Sequence, residues 1–352
     1  MSTPDKVLRP SAEALKLHSS SVVVDLHHDI AMDVLARREA GEHGVLRKIW
    51  VPRLREAGIK VQVFPIFIDS AFLPEMALRR EIALVNHLLE EIDDNPDEIT
   101  LVRDYQDIQH ALAAGRIAAV LALEGAEAID PEFNVLGLLF RCGLRMLSLT
   151  WNRRTLFADG ASSGSGSGGL TPLGAELVRK LESLKIVVDV SHLSEGSFWK
   201  LLEVAEKPLI ASHSSARAIC NHVRNLTDDQ VKAIAERRGV VGIFIHPAVI
   251  DPSHPTISRV VDHIDQLVAV AGIDHVAVGT DFIADLTGIE HTPTKEWNMT
   301  KEVAFSRIDG LSEITQLPNL THELLIRGYE PEGIRKILGE NTIRVFREIW
   351  GP

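Results

Sequence analysis

Short runs of apolar, β-branched residues alternate along this chain with longer stretches whose apolar positions recur every three or four residues. Eight runs predict strands: Val22–Leu26, Val61–Ile68, Ile117–Leu123, Leu144–Leu149, Ile186–Val190, Leu209–Ser212, Val240–Ile245 and Val276–Gly279. They are apolar throughout rather than alternating, as strands buried on both faces should be. Between them, Glu75–Glu91, Pro172–Leu184, Ser194–Val204, Thr227–Arg237 and Ser258–Ala271 carry helical spacing. Thr227 and Gln230 stand at the spacing of a capping box, which predicts one helix start.

Strand and helix alternating eight times predict an α/β chain folded as one (β/α)8 TIM barrel. The rival, a doubly wound open sheet, would carry a glycine-rich phosphate loop directly after the first strand, and that loop is missing here. Two segments break the alternation. Ala161–Gly169 reads as a flexible low-complexity loop, and Ile283–Leu317 as a long connection after the eighth strand. Both fall on the side of a barrel where βα loops gather, so either can cover a site. Pro331–Trp350 reads as a closing helix that Asn341 interrupts or caps. Residues 1–20 read as an N-terminal extension of a single domain spanning 1–352.

Composition narrows the partners. Hydrophobic residues at 45% and charged residues at 24% suit a soluble globular protein with a large core. With 37 basic residues against 49 acidic ones, a net charge of -12 and no basic block, nucleic acid is excluded as a partner. No stretch approaches the roughly 18 apolar residues of a membrane span. The polar start of the chain has no apolar h-region, so the expected setting is cytoplasmic, away from the membrane. Cys142 and Cys220 are too few for a thiolate metal site, and one bridge between them stays open.

The chemistry lies where the strands end. His27 and Asp29 follow the first run, Glu124 the third, His192 the fifth, His213 the sixth and Asp281 the eighth. In a barrel all these ends face one mouth. His27 and Asp29, two apart, share one side of an extended strand, whereas His28 points away and reads as a packing residue. Imidazole with carboxylate suits zinc ahead of Mn²⁺ or Fe²⁺. Three histidines and three carboxylates exceed what one tetrahedral ion takes, but two ions about 3.5–4 Å apart, bridged by Glu124, employ them all. A lone strand-end histidine is usually structural; burying six such groups together without a metal costs several kcal/mol.

In order and spacing these motifs resemble the membrane dipeptidase family of zinc peptidases, an amidohydrolase-like group. The likeness runs from Asp25-Leu26-His27-His28-Asp29 through Leu123-Glu124-Gly125, Gly169-Leu170-Thr171-Pro172, Asp189-Val190-Ser191-His192, Ser212-His213-Ser214-Ser215-Ala216, Arg224-Asn225 and Gly279-Thr280-Asp281-Phe282 to Gly339-Glu340-Asn341. It implies two Zn²⁺ per chain, one on His27 and Asp29, the other on His192 and His213, with Glu124 between them. It further implies hydrolysis of small dipeptides by a shared hydroxide, proton transfer by Asp281, capture of the substrate carboxylate by Arg224, and a homodimer.

The chain departs from the family twice. Thr150-Trp151-Asn152 stands where the family has His after Thr, which makes Trp151 a substrate contact of a different kind. His246 aligns with a Tyr of the vertebrate enzymes and is a candidate either for its electrophilic role or for a place in the core. Both changes keep two alternatives in play: an amidohydrolase acting on a non-peptide amide or lactam, and a metal-binding protein with little turnover.

Overall fold

The structure is a computed structural model, described here for residues 8–166, 168–283, 286, 303 and 305–351. The strands are β1 (Val23–Asp25), β2 (Ile59–Phe67), β3 (Ile99–Leu101), β4 (Ile117–Glu124), β5 (Leu144–Ser148), β6 (Val187–Asp189), β7 (Ile210–Ala211), β8 (Val240–Phe244) and β9 (Val276–Gly279). All pair in parallel, in the order β1-β2-β4-β5-β6-β7-β8-β9. The ring nearly closes: the Leu26 N–H donates to the Val278 carbonyl and the Asp281 N–H to the His27 carbonyl, each at 2.9 Å. This is the (β/α)8 barrel that the alternation predicts.

The eight expected strands are present, and β3 is an addition. Ile99–Leu101 pair with Ile117–Ala119, while Leu144–Ser148 pair with the later residues of the same strand. Three residues with one polar position are too short to register as an apolar run. Both faces of the barrel strands are buried. Val24 and Leu26, Val61 and Val63, and Ala118, Val120 and Ala122 fill the interior with Phe346 and Trp350 of the last helix. Phe64 and Ile66, with Leu121 and Leu123, pack outward under the helices.

The predicted helices form as Ala77–Asp93, Pro172–Ser183, Glu195–Val204, Asp228–Glu236 and Ile257–Ala271. Thr227 and Gln230 make both bonds of the capping box. Two expectations need correction. Residues 161–166 are not an irregular loop but 3-10 turns broken at Gly164, tied down by Ala161 N–H to His192 O and Ser162 N–H to Asn152 O. The closing helix is interrupted at Gly339, not Asn341, because a side chain at 339 would strike the Val22 carbonyl. Asn341 instead donates to Ile273 O and Val276 O, which fastens the last helix to the barrel. The bridge left open between Cys142 and Cys220 is not made: both cysteines are free.

Much of the expected long connection 283–317 lies outside the described residues. In the stretch read as an N-terminal extension, helix Ala12–Ser20 packs on helix Pro318–Arg327. His18 anchors it, bonded to Thr321 Oγ1 and the Ala57 carbonyl.

Candidate metal centre

Every strand that ends in a candidate ligand delivers it to the same mouth. Glu124 is the last residue of β4, and its Oε1 lies 3.5 Å from His27 Nε2, 2.7 Å from His192 Nε2 and 3.5 Å from His213 Nε2. Asp29 Oδ1 is 3.9 Å from His27 Nε2, and Asp281 Oδ2 is 4.0 Å from His213 Nε2. Three overlapping sets, His27–Asp29–Glu124, Glu124–His192–His213 and His27–His213–Asp281, each gather ligand atoms within 4.8 Å of one another. All six side chains are buried.

Close backbone approach makes the gathering possible. A methyl group at Gly279 would sit 1.8 Å from the Ser212 carbonyl, so only glycine lets β9 carry Asp281 up beside His213. His192 (φ 67°) and Asp281 (φ 49°) both hold left-handed backbone, a strain of about 1–3 kcal/mol each that surrounding bonds must sustain. The Ala161 N–H and the Thr150 hydroxyl do this at the His192 carbonyl. His27 and Asp29 do not lie on an extended strand, because β1 ends at Asp25 and Asp29 is the N-cap of helix Ile30–Glu39. The turn into that helix brings them together.

A ring of buried polar residues fixes which atoms face inward. Asn152 Oδ1 accepts from His192 Nδ1 at 2.8 Å, so His192 Nε2 carries a lone pair toward the centre. Ser212 Oγ donates to Asp189 Oδ2 and accepts from His213 Nδ1 at 2.7 Å, which leaves His213 Nε2 a lone pair too. Those two nitrogens are 2.8 Å apart, beside a carboxylate oxygen. His27 Nε2, Asp29 Oδ1 and Asp281 Oδ1 are buried with no hydrogen-bond partner. Such a convergence of lone pairs is repulsive unless a cation lies among them, and it fits a divalent metal bound through nitrogen and oxygen.

Asp25 braces the opposite side. It accepts from the backbone N–H groups of His27 and Thr280, from the Thr280 hydroxyl and from Gln62. Asp189 likewise accepts from the N–H groups of Ser191 and Ser212. Sequence reasoning gave Asn152, Asp25, Asp189 and Ser212 no role. One signal existed: β1 and β6 share the tripeptide Val-Val-Asp just before a histidine.

The field is uneven across the site. Burial pushes the His27 imidazole down, but Glu124, Asp281 and Asp29 outweigh it and hold it up at about 10. Burial and the Arg224 guanidinium push His192 down to about 3. Asp281 is raised to about 6 by burial and Glu124, against the pull of His27.

Arg224 is buried rather than on the surface. Its Nη2 lies 2.9 Å from His192 Nε2 and donates to the His213 carbonyl at 3.2 Å, and its guanidinium stands 5.5 Å from the Phe244 ring centre. Trp151 packs on Phe67 at 5.1 Å, with its ring 5.9 Å from that of His192. His246 caps the short helix Pro247–Ile250, its Nδ1 accepting from the Ala248 N–H, and it lines a small crevice with Asp281 and Phe282. Because Nδ1 accepts, the neutral ring carries its proton on Nε2, the tautomer a donor needs. His28 faces away from the centre, edge-on to Trp50 and Phe282.

Fold and donor set together define a class: (β/α)8 barrels with a histidine–carboxylate metal centre at the mouth. Within it, the chain belongs to the membrane dipeptidase family (peptidase family M19), whose family model matches residues 11–350. It is 30% identical over 273 residues to the dipeptidase tcpJ of Claviceps purpurea, a match covering 77% of this chain and 59% of that protein. The chain thus spans about three fifths of that relative's length. It is 32% identical to a protein in the pqqA 5' region of Klebsiella pneumoniae, over 78% of this chain and 96% of that one.

Among solved structures it resembles a metallopeptidase from Rhodobacter sphaeroides liganded with a phosphinate mimic of the dipeptide L-Ala-D-Ala. That likeness has a TM-score of 0.80 and 26% identity, and covers 94% of this chain and 100% of that one. A metallopeptidase described as dipeptidase AC matches with a TM-score of 0.80 and 27% identity, over 95% of this chain and 100% of the other.

Proposed function

We propose that this chain is a zinc-dependent dipeptidase with two zinc ions at the barrel mouth. The observation that carries the reading is Glu124 Oε1, within 3.5 Å of the inward nitrogens of His27, His192 and His213. In this assignment His27 and Asp29 hold one ion, His192 and His213 the other, and Glu124 both. Bound there, zinc supplies Lewis acidity, which polarises the scissile carbonyl and makes water a nucleophile near neutral pH.

The chain's own groups do the rest. Asp281, with one buried oxygen unpartnered, takes the proton from the attacking water and passes it to the leaving nitrogen. Arg224 turns its planar guanidinium from His192 to the substrate's terminal carboxylate, which fixes the amide over Glu124. His246, at the Asp281 crevice, offers its Nε2–H to the carbonyl oxygen as charge develops there. Trp151 walls the other side and excludes water. The dipeptide mimic held by the Rhodobacter relative supports this substrate class.

Among the described residues no helix is long and apolar enough to cross a membrane. A reducing cytoplasmic setting fits the two free cysteines.

The test is hydrolysis of L-L and L-D dipeptides by protein loaded with zinc and assayed for metal content. Turnover that vanishes with a chelator and returns with zinc is the expected result. Two zinc ions bound without turnover on any dipeptide would sink the assignment. The aromatic wall at Trp151 would then favour a non-peptide amide as substrate.

A further inference from the structure

Beside the metal centre, the loop after β2 and two helices enclose a cavity of about 300 Å³. Met32, Leu35 and Ala36 contribute one face of helix Ile30–Glu39, and Leu84 a face of helix Ala77–Asp93; Phe67 and Phe72 close the space between them. Helical spacing of three and four makes Met32, Leu35 and Ala36 one continuous stripe. The inner end of the cavity belongs to the mouth. Phe67 pairs in register with Glu124, and the Met32 N–H donates to the Asp29 carbonyl at 3.0 Å. Both side chains pack in one cluster with Trp151. At the outer end Arg80 lies 4.2 Å over the Phe72 ring and pairs with Glu39, so its charge is already matched.

We propose that this cavity receives the side chain on the amino-terminal side of the scissile bond, and that this side chain is large and apolar. The inference rests on the dipeptidase reading. Orientation follows from placement: Arg224 stands over His192 and His213, beyond β6 and β7, whereas Met32 follows β1 and Phe67 ends β2. A substrate with its carboxylate at Arg224 turns its other residue toward Met32 and Phe67. Selection follows from the lining. A leucine, methionine or phenylalanine side chain gains by leaving water here. A lysine or aspartate side chain would lose hydration against Leu35, Phe67 and Leu84, and the charged groups of the lining already have partners: Arg80 pairs with Glu39, and Asp69 accepts from the Ala71 N–H.

The test uses the full chain loaded with zinc and compares kcat/KM for leucyl-, phenylalanyl-, glycyl-, lysyl- and aspartyl-alanine. Leucyl-alanine is expected to exceed glycyl-alanine by about 10-fold or more, because each methylene in such a pocket discriminates strongly. Ala36→Phe fills the cavity from its helix face and is expected to lower the leucyl-to-glycyl ratio about 10-fold. If that variant does not fold, Ala36→Leu is read on the same ratio. A flat profile, or a ratio that neither variant changes, overturns the cavity assignment while the dipeptidase reading stands. Failure to cleave any dipeptide with both metals bound overturns both.

Discussion

Two groups of buried carboxyls meet near the end of β4, and the protein handles their charge in opposite ways. Glu127, three residues past Glu124, makes an ion pair with Arg153 Nε at 3.0 Å. Its neighbour Glu81 has a buried oxygen with no partner, and burial together with Glu127 pushes that carboxyl up to about 8. One internal cation and one retained proton thus settle the charge there. Around Glu124 the solution differs. Asn152 and Ser212 turn the lone pairs of His192 and His213 inward toward the carboxylate, where a proton or an internal cation does not suffice for all six groups. The contrast separates a self-neutralised acidic cluster from one built to be completed from outside.

The largest expected effect breaks the second group at its centre. Glu124→Ala removes the atom shared by all three histidines and should weaken zinc binding by well over about 100-fold, more than loss of an outer brace. Titration of the apo protein with zinc measures it, and retention of two tightly held ions would refute the shared-ligand role. Next, Asp281→Asn should keep both ions yet lower kcat by about 10²–10⁴. Near-normal hydrolysis with metal in place would remove Asp281 from proton transfer.

Smaller effects sharpen the comparison. Asn152→Ala should cost about 10–100-fold in zinc affinity because His192 loses the acceptor that orients it, and Asn152→Asp, which keeps an acceptor, should restore much of this. Equal affinities in both variants would show that Asn152 does not position the ligand.

In the first group, Glu81 ionises in the unfolded chain near its ordinary value of about 4.5 but holds its proton to about 8 when folded. Stability therefore falls as pH rises through that window and levels off above it. Glu81→Gln should abolish this decline, so its melting temperature should gain on the parent between pH 5 and 8, by an amount worth at most a few kcal/mol. A pH-independent difference would mean that Glu81 is not neutral in the fold.

The barrel and the candidate ligands at its strand ends were legible because the physics is local. A strand buried on both faces must be apolar throughout, and a polar residue that ends such a run stands at the rim. His27, Glu124, His192, His213 and Asp281 are all found that way. Arg224 was less legible: next to a helix start, nothing in its immediate sequence distinguishes a surface arginine from one buried over Phe244. Strand β3 and the break at Gly339 were missed, the first for its brevity, the second because it depends on the distant Val22 carbonyl.

By itself, then, the sequence determined the layering of the chain and the residue types that meet at one mouth, since period and burial are properties of neighbouring residues. Only the tertiary structure decided which nitrogen of each imidazole faces the centre, that Asp29 is turned in by a helix start, and that Glu81 lies beside Glu127. Those outcomes depend on hydrogen bonds and fields between residues far apart in the chain, as between His192 and Asn152 or Asp25 and Thr280, and local sequence does not encode them.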